Sequence, residues 1–171
     1  LWSGAGLVLS PEDISTTSGN IELRSLDGNL STPGDLTTTT GNVALYAATN
    51  VQVNNTLTTG SGNVTIDAGN EVNLSKTIVS TSGNINVKSD TINHSTGSVG
   101  TPLKLQTGSA GTITVAANGT GGFVMGQYYS YLSDAGTIAI TSGGTVDLAN
   151  ITTNGRLSVD AVGLVQQVGA G

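Results

Sequence analysis

The sequence contains no cysteine, which excludes a disulfide framework and any thiolate-ligated zinc site. Basic residues are nearly as scarce. Arg24, Lys76, Lys88, Lys104 and Arg156 are scattered among eleven acidic residues, and the net charge is −6. A nucleic-acid partner needs clustered Lys and Arg to displace counterions, so that class is excluded. No apolar run reaches the length that spans a bilayer, and no membrane insertion is expected. The opening LWSGAGLVLSPED has no basic segment ahead of an apolar one, as a secretory leader would. It begins on Leu1 rather than Met, so we expect a piece of a longer protein or a mature product.

Aromatic residues make up 4% of the chain and charged residues 9%, and Gly, Thr, Ser and Asn fill much of what remains. Thr and Val favour pleated surfaces while Gly and Asn favour bends, so this composition suits many short strands joined by turns. The strands announce themselves by repetition. Gly41-Asn42-Val43-Ala44-Leu45 returns as Gly62-Asn63-Val64-Thr65-Ile66 and as Gly83-Asn84-Ile85-Asn86-Val87. Counted from Gly41, apolar residues fall at Val43, Leu45, Val51, Val53 and Leu57. Counted from Gly62, the same offsets give Val64, Ile66, Val72, Leu74 and Ile78. Gly19-Asn20-Ile21-Glu22-Leu23 precedes this series, and units beginning at Gly136 and Gly155 follow it.

Within each unit apolar and polar residues alternate, the period of a strand with one buried face. Three such strands in every 19 to 22 residues describe one coil of a solenoid. Equivalent strands then lie above one another and pair in parallel, so the expected fold is an all-β parallel β-helix. A single coil buries too little to fold alone; its neighbours must close the core above and below. We expect one β-helix segment over 1–171, with regular coils at 14–92 and 136–168. Asn20, Asn42, Asn63 and Asn84 stand just after the repeat glycines, where stacked amides are expected to bond one another and Asn tolerates left-handed turns. We read them as a structural ladder.

Residues 93–135 break the frame, because Gly83 to Gly111 is 28 residues and Gly111 to Gly136 is 25. Irregular or inserted coils are expected here, and the pattern leaves open whether Leu103 opens a coil or closes one. The same region carries GQYYSYLSD. Loops on rigid scaffolds often bind ligands and tyrosines can stack on sugar faces, so Tyr128, Tyr129 and Tyr131 are candidate binding residues. The preferred reading is plainer: Tyr131 or Leu132 plugs the core of a wider coil while its neighbours cover the outside.

Catalysis on polysaccharides, known for some β-helices, needs paired carboxylates or calcium-binding acids gathered on one strand face. The acids here form no such column: after Glu22, the same outward offset holds Ala44, Thr65 and Asn86. Asp67 and Lys88 lie one coil apart and are expected to form at most a weak surface pair. His94, the only histidine, sits in a polar stretch and reads as solvated rather than catalytic. No catalytic residue, metal ligand or cofactor is assigned, and the chain is not expected to be an enzyme.

The units GNVTIDAGNEVNLSKTIVSTSGNINV and GTIAITSGGTVDLANITTNGRLSV resemble the repeats of filamentous haemagglutinin-type exoproteins, large bacterial surface adhesins often exported by two-partner secretion. The resemblance implies a right-handed β-helix located outside the cell. On this reading the chain is a rod segment of a secreted adhesin. The alternative is a self-assembling fibre or sheath subunit, and a polysaccharide-processing enzyme is a distant third. The partners expected are neighbouring coils or identical subunits end to end, with host or matrix glycans or proteins as further candidates. Strand edges at Leu7 to Leu9 and near Val162 to Val168, with Gly4-Ala5-Gly6 and Gly169-Ala170-Gly171 at the ends, suggest continuation by similar coils.

Overall fold

The structure is a computed structural model that describes residues 1–4, 7–8, 12–32, 34–95, 97, 102–108 and 110–168. The end residues Ala5, Gly6, Leu9 and 169–171 singled out above lie outside the described residues. Every described element is a strand, and every pairing is parallel. The chain winds as a parallel β-solenoid of three strands per coil.

The coil of residues 43–59 shows the plan. Val43–Ala47 lies on a first face, Asn50–Val53 on a second and Leu57–Thr59 on a third. Each strand buries alternate side chains, Val43 and Leu45, then Val51 and Val53, then Leu57, as the period of two requires. The next coil repeats this above it. Val64 pairs with Val43, Val72 with Val51 and Ile78 with Leu57. The column Ile21, Val43, Val64, Ile85, Ile113, Ile138 runs unbroken along the first face, and its side chains are buried in one interior. The third face is a seven-stranded sheet from Ile14–Thr16 to Asn150–Thr153. The first and second faces form one fourteen-stranded sheet, because Ile85–His94 and Ile113–Val124 run through the corner between them.

Residues 93–135 keep this order. Leu103–Thr107 pairs with Ile78–Ser80 on one side and Tyr129–Ser133 on the other, so Leu103 belongs to the strand that closes the coil begun at Gly83. The extra length sits at the corners of the coil: one excess lies between His94 and Leu103, the other inside Ile113–Val124 at the shift where Ser89 and Thr91 face Ala117 and Gly122.

Two columns hold the corners, and both differ from the sequence expectation. The asparagines do form a ladder, but their amides do not bond one another. The Oδ1 of Asn20 accepts the backbone N–H of Asn42, Asn42 that of Asn63, Asn63 that of Asn84 and Asn84 that of Thr112, each at 2.8 Å. A backbone donor would otherwise go unpaired there, so a backbone N–H claims the oxygen ahead of a neighbouring amide. Nor is the left-handed conformation used. Among the described residues the only non-glycine with positive φ is Tyr128. The glycines before Asn42, Asn63 and Asn84 have another reason to be glycine: a Cβ at Gly62 would fall on the carbonyl oxygen of Gly41, and Gly41, Gly83 and the equivalent Gly111, Gly136 and Gly155 meet the glycine below in the same way. Close backbone approach excludes a side chain.

The second column is made of hydroxyls. Thr16, Thr38, Thr59, Ser80, Thr107, Ser133 and Thr153 stack in register at the end of the third face. Thr38 Oγ1 donates to the Gly19 carbonyl at 3.1 Å and accepts the Gly41 N–H at 3.0 Å; Ser80 Oγ does the same for Gly62 and Gly83 at 2.8 and 2.9 Å. These buried hydroxyls satisfy backbone groups at the tight corner that other backbone groups do not reach.

Candidate functional site

The tyrosine stretch is a strand, Tyr129–Ser133, and it faces inward. Tyr129 and Tyr131 are fully buried, while Leu132 points away from the core. Tyr131 occupies the position held by Leu105 below it and Ile151 above it, so it plugs the core as the preferred reading held. As a binding loop the trio fails on burial: two of its three rings are out of solvent's reach. Tyr128, half-buried at φ 66°, turns the chain into that strand, with Tyr129 N–H bonded to Gly126 O at 3.0 Å.

The burial of Tyr131 follows from its partner. His94 is not solvated; it is 6% exposed and stands in the column of Val53 and Leu74. Its Nδ1 lies 2.8 Å from the Val124 carbonyl, which can only accept, so Nδ1 carries the proton. Nε2 must then accept, and Tyr131 O–H donates to it at 2.6 Å. The Tyr129 hydroxyl donates to Lys76 O at 3.0 Å, and Phe123 packs edge-on against His94, with ring centroids 5.2 Å apart. Burial lowers the His94 pKa to about 4, partly offset by the bond to Val124, and raises those of Tyr129 and Tyr131. Each polar atom of this cluster has its partner inside the protein, so its chemistry is that of a neutral, satisfied core plug.

The exposed chemistry lies elsewhere, on the outside of the first face, around the tyrosine that the sequence reading did not weigh. Arg24, Tyr46, Asp67 and Lys88 stand in one outward column, a coil apart. The Arg24 guanidinium lies over the Tyr46 ring, 4.4 Å from its centroid, and its Nε is 3.4 Å from Glu22 Oε1. These contacts hold the ring from one side. Asp67 and Lys88 are register neighbours, as expected, but no ion pair closes between them. Tyr46 borders two hollows. One, of about 340 Å³, lies among Arg24, Leu26, Ala48, Asp67 and Gly69. The other, of about 270 Å³, has Ala44 at its floor between Glu22 one coil below and Thr65 one coil above, with Tyr46 on one side and Asn20, Asn42 and Asn63 on the other. The signal for this face was present in the sequence, at the fifth residue after each repeat glycine, where three charged residues and one aromatic follow one another. Among the described residues no three His, Asp or Glu side chains gather as a metal site would need.

The sequence pattern of the Toastrack DUF4097 family matches residues 5–122, more than half of the chain. The chain belongs to the Toastrack family. No curated protein and no solved structure matches it. In this Toastrack chain the matched span takes in the regular coils at 14–92, with the Tyr46 face, and His94, and stops before Tyr128 and the regular coils at 136–168. The family description carries no reaction or ligand with it, so function rests on the geometry.

Proposed function

We propose that this Toastrack chain is a rod segment of a large bacterial surface protein, an adhesin or related exoprotein, and that its work is mechanical: it holds a binding region away from the cell. The observation that carries this reading is the buried column from Ile21 to Ile138, which stays in register even through the two coils that carry extra residues. Each coil adds roughly 4.8 Å of height and bonds to the next through backbone, Asn and hydroxyl columns, which favours a stiff stack. The likeness in repeat style to filamentous haemagglutinin-type exoproteins supports a place outside the cell. No step of this role calls for a cofactor or a catalytic residue.

An antibody raised against the segment should label intact producing cells; labelling that requires permeabilised cells would overturn the reading. As a spacer, the segment should also survive deletion of residues 137–155, which joins Gly136 to Arg156 and removes one coil away from Tyr46, with export and binding unchanged.

A second reading draws on the last coil. Leu157, Val162, Leu164 and Val165 are exposed there, and the strands Leu157–Ala161 and Val165–Gln167 pair on one side only. A further coil fits that edge. If a second copy supplies it, the chain is a self-assembling fibre subunit, and sedimentation of the full-length product at increasing concentration separates this from the stalk.

A further inference from the structure

We propose that the outward face around Tyr46 is a binding site for a neutral, unbranched oligosaccharide. This goes beyond the rod reading and stands independently of it. A binding face needs relief, rigidity and matched polar groups, and this one has all three. The relief comes from small residues. Ala44 stands where the neighbouring coils place Glu22 and Thr65, so the sheet dips beneath the smaller hollow, and Ala48 and Gly69 open the larger one. The rigidity comes from packing. Tyr46 springs from a strand paired on both sides, and Arg24 covers part of its ring.

The polar groups select the ligand. In the ladder the amide oxygens of Asn20, Asn42 and Asn63 are engaged by the coil above, so the donors these residues offer to the smaller hollow are their NH2 groups, one per coil. Glu22 and Thr65 border the same hollow and supply acceptors, and Asp67 does so in the larger one. A row of Asn donors along one side, acceptors from Glu22 and Thr65 below and above the Ala44 floor, and an aromatic ring between two shallow hollows match a chain of sugar rings: hydroxyls take both kinds of partner, and a C–H face lies on the tyrosine. The sign of the charge excludes other classes. Carboxylates border both hollows and repel anionic glycans and phosphates, while the Arg24 charge is shared with Glu22 and the Tyr46 ring. An open face of this depth suits an extended ligand lying along the strand.

The test is an amide-resolved NMR titration of the whole chain with cellotetraose, mannotetraose, maltotetraose and N-acetylchitotetraose, and with oligogalacturonate as the anionic comparison. At least one neutral tetrasaccharide should shift the signals of residues 44–48 and 63–67. Tyr46→Ala should weaken that binding roughly tenfold or more. Ala44→Leu, which fills the smaller hollow and leaves Tyr46 in place, should weaken it as well. Both side chains point outward, so both variants keep the native spectrum elsewhere. The proposal is overturned if no neutral tetrasaccharide shifts these signals at millimolar concentration, if oligogalacturonate binds better, or if binding is unchanged in Tyr46→Ala.

Discussion

The coils from Gly19 to Gly83 and the two from Gly83 to Gly136 solve the same packing problem with different means. The first group fills its interior with Val, Leu and Ile at fixed offsets. Among the described residues, the buried aromatic rings of the core, Phe123, Tyr129 and Tyr131, all lie in the second group, together with His94 and Met125. Yet first-face register is identical in both, Val64 to Ile85 to Ile113 to Ile138. The difference shows which parts of a coil are fixed. The first face and its glycine corner set the stacking, while the passages between faces absorb extra residues. Where a coil widens, larger side chains fill the space, and some of them bring polar atoms that must then find partners inside.

Three changes would break or sharpen this contrast. The largest effect is expected in the regular coils at Gly62→Ala, where the new methyl meets the Gly41 carbonyl and the backbone has no room to yield. A loss of about 3–5 kcal/mol, or failure to fold, should appear in denaturant unfolding. The irregular coils should reveal themselves by pH. The folded value of His94, about 4, lies below its ordinary 6.5, so the unfolded chain takes up this proton first as pH falls. Its contribution to stability is complete above pH 6.5, declines between 6.5 and about 4, and by then has removed about 3 kcal/mol. Thermal melts of His94→Leu should lose this component of the pH dependence. The smallest effect belongs to the ladder. Asn63→Ala leaves the Asn84 N–H without its acceptor and should cost about 1–2 kcal/mol, with faster exchange at the Asn84 amide. Asn63→Asp keeps the oxygen and should recover most of that stability.

How much of this was legible beforehand depends on the column. The aliphatic offsets were explicit, and each quoted pair of equivalent positions, Val43 with Val64 or Val53 with Leu74, is a register partner. The Asn column was visible, but its bonding was not, because sequence spacing places a side chain at a height without saying whether a backbone or another amide claims it. His94 misled because its neighbours are Ser, Thr and Asn. Its burial comes from Tyr131, Phe123 and Tyr129, each roughly thirty or more residues onward in a stretch whose register could not be counted. Tyr46 was missed for the opposite reason. It obeys the alternation perfectly, so nothing marked it until Arg24 and Asp67 were seen beside it.

The glycine corner has one more implication. It works as a height gauge: a coil copied or lost as a whole reseats at the same level if it brings that one residue, whatever it carries on its outer surface. Such a column can be lengthened, shortened or given a new outward pattern without redesigning its interior.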